Sequence, residues 1–356
     1  SRLREAGAVM LGKLQMTEGA FAIHHPNITA PNNPWHPGHW TGASSSGCGV
    51  ATAAGLCYAS IGSDSGGSIR FPCAANGLTG LKPTWGRVSR HGAFELAASL
   101  DHVGPITRSA RDALFLLSTI AGHDLLDPTS QPSVCLEVPG IDDSFRGLRV
   151  GIDESWLSDG VDPVIQQALQ QIMAMIHAGG GKLLSIRMPD TRAVSQNWEA
   201  HCGVQTAVAH ADTYPLHASQ YGPALRRLID GGRELSGMDY QRILLEAQRF
   251  TGQVEMLLYE LDLLLAPVQP YAAPTHEQLS SLALDPEANR RLIQFTAPFN
   301  VSGHPCISLP IGLTEGGLPM GGQFIGRKGG EATLCRAGMA VQRVSDWHRL
   351  RPQCLK

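Results

Sequence analysis

GASSSGCGVATAAGLCYASIGSDSGGSIRFP, running from Gly42 to Pro72, holds two serine clusters, Ser44-Ser45-Ser46 and Ser63, Ser65 and Ser68, set among glycines. Between them, Ser46 to Leu56 is small and alanine-rich in the manner of a tightly packed helix, and Tyr58 to Ile61 reads as a short buried strand. A strand ending at Gly62, a turn over Ser63-Asp64-Ser65-Gly66-Gly67 and a helix start at Ser68 would aim several backbone N–H groups at one point. Gly66 and Gly67 allow positive φ and close approach of a substrate, and Ser68 brings a hydroxyl to the same place. That is the layout of an oxyanion hole beside a nucleophile. A plain Gly-Ser turn fits the same spacing.

Outward from this stretch, strand and helix patterns alternate. Ser109 is a candidate N-cap for a helix over Ala110 to Ala121, and Leu148 to Ile152 is a strand. Asp162-Pro163 starts a helix whose Ile165, Leu169, Ile172 and Ile176 keep helical spacing until the glycines at 179 to 181. Lys182 to Met188 is the next strand, and strands return at Leu263 to Ala266, Cys306 to Leu309 and Met320 to Gly326 before a last helix, Glu331 to Trp347. Residues 190–260 are almost wholly helical, with Ser236 capping a long helix, and are expected to form a helical cap over the sheet. The first ten residues read as the end of a helix running into a strand, VMLGKLQM. Alternation of this kind predicts an α/β fold with a mixed sheet covered on both faces.

Composition sets the outer limits. A chain of 356 residues suits one large α/β domain or two ordinary ones, and 43% apolar with 17% charged residues excludes disorder. Lys plus Arg at 28 against Asp plus Glu at 31 gives −3, with no basic stripe, so nucleic acid is not an expected partner. The longest apolar runs, Ala113 to Ile120 and Leu261 to Val268, fall short of the roughly 20 residues that cross a bilayer. No signal-peptide pattern opens the chain, and the cysteines at 48, 57, 73, 135, 202, 306, 335 and 354 form no C-x-x-C pair, so they are read as reduced core residues of a cytoplasmic protein. Asn27-Ile28-Thr29 matches a glycosylation sequon, which is read as chance.

Several catalytic schemes are excluded by spacing. Ser68 lies in Gly66-Gly67-Ser68-Ile69-Arg70, not in G-x-S-x-G, and no lysine follows a serine by three positions, which removes S-x-x-K. No Walker loop is present. His24, His25, His36 and His39 crowd a proline-rich loop, and His36-x-x-His39 has the spacing to hold zinc. There is no H-E-x-x-H and no acidic ligand nearby, and the alternative is that these histidines pack or line a substrate entrance together with Trp35 and Trp40.

The two serine blocks, with GASSSGCG followed by GSDSGGSIRFP and then GLTGLKPTWGRVSRHG, resemble the signature of the amidase signature family. The likeness continues through DHVGPITRSARDA, LDLLLAPVQP, FTAPFNVSGHPCISLP and GLPMGGQFIGR, and so covers essentially the whole chain. The resemblance implies one α/β/α domain over residues 1–356, with a mixed twisted sheet covered by helices, and a serine hydrolase acting on amides with a Ser, cis-Ser, Lys triad. Ser68 matches the nucleophile and Ser44 the bridging serine on a cis peptide, expected within hydrogen-bond reach of Ser68. The backbone N–H groups of Ser65, Gly66, Gly67 and Ser68 match the oxyanion hole, Ser45 is a supporting hydroxyl, Asp64 braces the loop, and Arg70 is expected in a buried ion pair or loop brace. No cofactor or metal is implied.

The family's lysine lies in a motif like G-x-P-x-x-x-K-D, upstream of the segment that here reads LGKLQM, and this sequence lacks that motif. Lys13 matches a different family lysine and is not assigned as base. The resemblance therefore starts part-way into the family domain, which would leave a strand edge and an apolar face to be covered by a homo-oligomer contact or a rearranged N-terminus. The expected activity is hydrolysis of a small-molecule amide, and of esters as well, through a Ser68 acyl-enzyme. The alternative is a non-catalytic or weakly active subunit that keeps the cleft without the base.

Overall fold

Eight strands form one sheet: β1 Ser60–Asp64, β2 Thr79–Lys82, β3 His102–Thr107, β4 Arg149–Ile152, β5 Lys182–Ser185, β6 Leu263–Pro267, β7 Cys306–Leu313 and β8 Pro319–Gly326. Their spatial order is β1-β3-β2-β7-β8-β6-β4-β5. β4 runs parallel to β5 and β6, and the other neighbouring pairs are antiparallel. The sheet is thus mixed, in keeping with the alternation of the sequence. This computed structural model describes residues 1–132, 142–282 and 285–353.

Alternation along β7 sorts the two faces. Ile307, Leu309 and Ile311 enter the larger core with Leu114, Leu117, Ile165, Leu169 and Leu334, from the helices Ala110–Ile120, Pro163–Ala178 and Glu331–Val344. Cys306 and Ser308 point the other way, toward the helix Arg70–Asn76, where Arg70 Nη1 lies 3.9 Å from Cys306 Sγ. That helix sits directly on the strands because two of their residues have no side chain. A Cβ on Gly80 would fall 2.5 Å from Cys73 Sγ, and one on Gly321 would fall 2.4 Å from the Cβ of Ala74. The close approach fixes the turn that precedes the helix.

Ser109 and Ser236 cap their helices as the sequence predicts, accepting the N–H groups of Asp112 and Asp239. The stretch read as helical contains Arg192–Gln196, Trp198–Ala209, Tyr214–His217, Pro223–Glu234 and Gly237–Tyr259. Three expectations need correction. The strand read over Tyr58 to Ile61 starts later, at Ser60, and runs to Asp64, while Tyr58 is 88% exposed. VMLGKLQM pairs with no strand among the described residues, and its Val9 and Leu11 are 84% and 72% exposed, because the helix at this end is confined to Arg2–Glu5 and leaves the apolar side chains that follow it uncovered. β2 and β3 are absent from the sequence reading, since TGLK and HVGPIT carry glycine and proline where a strand pattern needs β-branched residues.

Cys73, Cys202, Cys306 and Cys335 are buried and Cys48 and Cys57 half-buried, all six free, whereas Cys135 and Cys354 lie outside the described residues. No helix among the described residues is long and apolar enough to cross a membrane.

The close helix-on-sheet contact predicts that Gly321→Ala destabilises the protein by about 1–3 kcal/mol through overpacking. Gly237→Ala, where a Cβ meets nothing within 4 Å, should stay within about 0.5 kcal/mol of the parent. Urea-denaturation midpoints of the two variants check this.

Candidate active site

Asp64 ends β1, and its carboxylate folds the next five residues around itself. Oδ1 accepts the N–H of Gly67 at 2.8 Å and Oδ2 that of Ile69 at 3.1 Å. The Arg70 side chain closes the ring, donating from Nε at 3.0 Å and from Nη2 at 2.9 Å. Both side chains are fully buried. Arg70 reaches further, to Asn300 Oδ1 at 2.6 Å and Gln323 Oε1 at 3.3 Å, while Asn300 Nδ2 returns to Asp64 Oδ1 at 2.8 Å and its carbonyl at 2.7 Å. Gln323, on β8, in turn donates to the carbonyls of Pro267 and Phe295. Burial alone would push the Asp64 carboxyl up, but the Arg70 charge and the bonds from Arg70 and Asn300 outweigh it and hold the group well below the usual carboxylate range.

The outer side of the turn is held by neutral donors. Trp198 Nε1 donates to the Ser65 carbonyl at 2.8 Å, Thr296 Oγ1 to that of Gly66 at 2.6 Å, and Ser65 Oγ to Asp101 Oδ1 at 2.5 Å. A Cβ on Gly66 would strike the Trp198 ring at 2.6 Å, and Gly67, at φ +139°, would strike Phe71 at 2.3 Å. Glycine is required at both positions for this packing. With the carbonyls so engaged, the N–H groups of Ser65, Gly66 and Ser68 donate to no acceptor among the described residues, and Ser68 is half-exposed beside them.

The first serine cluster comes to the same turn from the other side. The Ala43–Ser44 peptide is cis. The Ser44 carbonyl accepts the N–H groups of Thr17 at 3.1 Å and Ser46 at 2.8 Å, and the Ser45 N–H donates to the Ser68 carbonyl at 3.3 Å. Ser45 Oγ donates to the Ser63 carbonyl and accepts its N–H, both at 3.2 Å. Ser46 Oγ lies 3.1 Å from His24 Nε2. Ser44 is fully buried, and its Oγ makes no hydrogen bond among the described residues. The hydroxyl contact expected between Ser44 and Ser68 is therefore not formed, and Ser45 joins the two clusters instead, through its N–H to Ser68 and its hydroxyl to the Ser63 backbone.

A sequence model of the Amidase family matches residues 1–335. The chain belongs to the amidase family. AmiD of Mycobacterium tuberculosis, named as an amidase, is 49% identical over 352 residues, covering 99% of this chain and 74% of the relative. A glutamyl-tRNA(Gln) amidotransferase subunit from Chloroflexus aurantiacus is 36% identical over 382 residues, covering 99% of this chain and 77% of that protein. Among solved structures, 6-aminohexanoate cyclic dimer hydrolase complexed with substrate superposes with a TM-score of 0.89 at 28% identity, over all of this chain and 79% of that one. Hydrolysis of amide carbon–nitrogen bonds is accordingly the class of reaction of this amidase.

The structure brings Ser44, Ser45, Asp64, Ser65, Gly66, Gly67, Ser68 and Arg70 into one locus, with one change to the expected donor set. The Gly67 N–H is turned to Asp64 and serves the loop, not a ligand. Lys13 is exposed. Sequence reading missed Asp101, Trp198, Thr296, Asn300 and Gln323, which all bond this turn or its brace. The one signal for any of them was a buried-looking polar pair, Thr296 and Asn300, four apart in the apolar run FTAPFNV. It also missed Lys82, a buried lysine whose amine donates to the carbonyls of Pro83 at 3.2 Å and His304 at 2.6 Å. Burial pushes the Lys82 amine down to about 8, and the Arg70 charge acts in the same direction, against the pull of Cys306, Asp64 and Glu331. The His36 and His39 rings stand 4.7 Å apart, but His36 Nδ1 accepts the Gly38 N–H and His39 Nδ1 meets the Ala273 carbonyl. No group of three His, Cys, Asp or Glu able to hold a metal occurs among the described residues.

Removing one partner of the buried pair predicts a large loss, about 3–5 kcal/mol for Asp64→Asn, because Arg70 keeps a buried charge without its counter-ion. The sign with pH follows from the depressed Asp64 pKa: its stabilisation is present above about pH 4 and is lost as pH falls below that. Acid-unfolding curves should therefore show a steeper loss below about pH 4 in the parent than in Asp64→Asn.

Proposed function

We propose that this amidase cleaves a small-molecule carboxylic amide, and esters too, through an acyl-enzyme on Ser68. The observation that carries the reading is the trio of unengaged N–H groups of Ser65, Gly66 and Ser68 around the half-exposed Ser68 side chain. Ser68 Oγ attacks the substrate carbonyl, forming a C–O bond as the carbonyl π electrons move to oxygen. The three N–H groups take up that oxyanion, each a contribution of about 2.7–4 kcal/mol if typical of a single donor. The oxyanion then collapses and the carbon–nitrogen bond breaks, the amine leaving with the proton that Ser68 gives up. The buried Ser44 hydroxyl, unbonded in this structure, relays that proton once substrate draws it within reach of Ser68. Water then hydrolyses the acyl ester and regenerates Ser68.

Helices 192–259 fit the role of a cap, since Trp198 lies against Gly66 and packs with Phe21, Phe71 and Tyr214 in one apolar basin. A single catalytic domain with this cap inside it is the organisation that best suits the site. The net charge of −3 and the free cysteines fit a cytoplasmic enzyme, and the exposed Val9, Met10, Leu11 and Leu14 are the surface on which a homo-oligomer contact would form.

Ser68→Ala should abolish turnover and labelling by a fluorophosphonate while leaving the thermal melt unchanged, since one oxygen is lost and no cavity is made. Labelling that persists in Ser68→Ala refutes the nucleophile assignment. Because Ser44 Oγ contacts no base among the described residues, p-nitrophenyl esters, whose leaving group needs little protonation, should turn over faster than the matching anilides. Ser44→Ala should depress anilide turnover more than ester turnover, and equal loss on both would contradict its part in leaving-group protonation.

A further inference from the structure

We propose that Asp101 is a positioning residue for this reaction: by accepting the Ser65 hydroxyl it holds the oxyanion-binding turn in register, and its protonation sets an acid limit on turnover. The proposal rests on the reading of Ser68 and its turn given above. Asp101 lies just ahead of β3, buried, and is not itself in contact with reacting atoms. Oδ1 accepts Ser65 Oγ at 2.5 Å and the Ala97 N–H at 3.1 Å, and Oδ2 accepts the Leu96 N–H at 3.0 Å and that of Ala97 at 3.1 Å. One carboxylate thus ties the loop 96–101 to the first residue of the turn. Ser65 is clamped from two sides, its hydroxyl by Asp101 and its carbonyl by the Trp198 indole.

The contrast with Asp64 is in the donors. Asp64 is bonded to a guanidinium, whereas every hydrogen bond to Asp101 among the described residues comes from a neutral group. Arg90, the cation that acts on it, spends its own bonds on Glu95 and Thr129. Burial accordingly pushes the Asp101 carboxyl up to about 6, with the bonds from Ser65, Ala97 and Leu96 and the Arg90 charge working against it. The other titratable groups packed around it do not change charge in the same range. His102 on β3 is held well below its ordinary value by burial, His201 on the neighbouring helix is held at about 4, and burial raises the Cys202 thiol.

Protonation reverses the bond. A carboxylate only accepts, so Ser65 must donate to it. On protonation Oδ2 stays the acceptor of the Leu96 and Ala97 N–H groups and the proton goes to Oδ1, where the Ser65 hydroxyl is the partner that can turn round; Ser65 then accepts and sends its own proton elsewhere. The two backbone N–H donors keep their acceptor, so the loop 96–101 survives, but the Ser65 end of the turn loses the geometry that aims the N–H groups of Ser65 and Gly66. Small misplacements of such donors are costly to the rate. The clamps from Trp198 and Thr296 carry no titrating proton in this range and keep the turn folded. Because the raised pKa lets the folded state take up the proton more readily than the unfolded chain, stability rises slightly as pH falls through about 6, so a loss of turnover there is not unfolding.

The test is kcat and KM for a p-nitrophenyl ester between about pH 5 and about pH 8 in the parent, Asp101→Asn, Asp101→Glu and Ser65→Ala, with thermal melts of each. In the parent, kcat should fall about tenfold per pH unit below an apparent pKa near 6, with KM changed less than about threefold. Asp101→Asn should lower kcat by about 10- to 100-fold at pH 8 and flatten the acid limb, since an amide cannot accept from all three donors. Asp101→Glu should restore a limb. If Asp101→Asn does not fold, Ser65→Ala carries the same test, and its limb near pH 6 should vanish. A parental pH profile in folded Asp101→Asn or in Ser65→Ala overturns the proposal. Ser68→Ala in the same assay separates the two layers: its inactivity with an unmoved Asp101→Asn profile sinks Asp101 alone, whereas turnover by Ser68→Ala sinks the reading beneath it.

Discussion

A carboxylate and a guanidinium, both out of water, set the shape of everything around Ser68. Desolvating the Asp64 and Arg70 charges costs several kcal/mol per ion, and the pair holds only because each remaining lone pair and proton has a partner. Those partners come from the turn's own N–H groups, from Asn300 and from Gln323, so the pair binds β1, β8 and the helices Arg70–Asn76 and Ala297–Val301 to one geometry. A turn held this way has little freedom to relax. That rigidity suits a site whose donors must already point at a developing charge before the substrate arrives.

Around the ion pair, the packing removes atoms wherever the backbone must come close. Gly80 and Gly321 let the helix Arg70–Asn76 lie on the strands, and Gly66 and Gly67 let the turn pass under Trp198 and Phe71. What stays unengaged is three N–H groups, one half-exposed hydroxyl at Ser68 and one buried, unbonded hydroxyl at Ser44, the groups to which the proposed reaction assigns its chemistry. Two carboxylates support this turn in different electrostatic settings. Asp64 is locked ionised by its cation, while Asp101, with neutral donors alone, remains free to titrate.

How much of this was legible in the sequence follows from where each signal resides. The serine and glycine positions are local, so the meeting of Ser44, Ser65, Gly66 and Ser68 at one turn ahead of a helix could be read from spacing and from the long family-like blocks. The mixed sheet followed from alternation, and the caps at Ser109 and Ser236 followed from the N-cap rule. Asn300, Gln323 and Asp101 were not legible as site residues because they lie at least 33 positions beyond Ser68 and meet the turn only through tertiary folding. The Gly67 N–H was misassigned for a related reason: sequence shows that a donor exists, but not that Asp64 has already claimed it. β2 and β3 escaped because their strands are held by neighbours on both sides, which outweighs the poor strand propensity of glycine and proline.

The central claim is that the Asp64–Arg70 pair shapes the turn that carries Ser68, the proposed nucleophile. A double-mutant cycle of Asp64→Asn, Arg70→Met and the two combined, read by the rate of fluorophosphonate labelling of Ser68 at a temperature where each variant remains folded, tests it most directly. Each single change should slow labelling by about 100-fold or more, and the double variant should be no slower than the worse single, since both remove the same interaction. Labelling at the parental rate in folded Asp64→Asn, or losses that simply multiply in the double variant, would contradict the account.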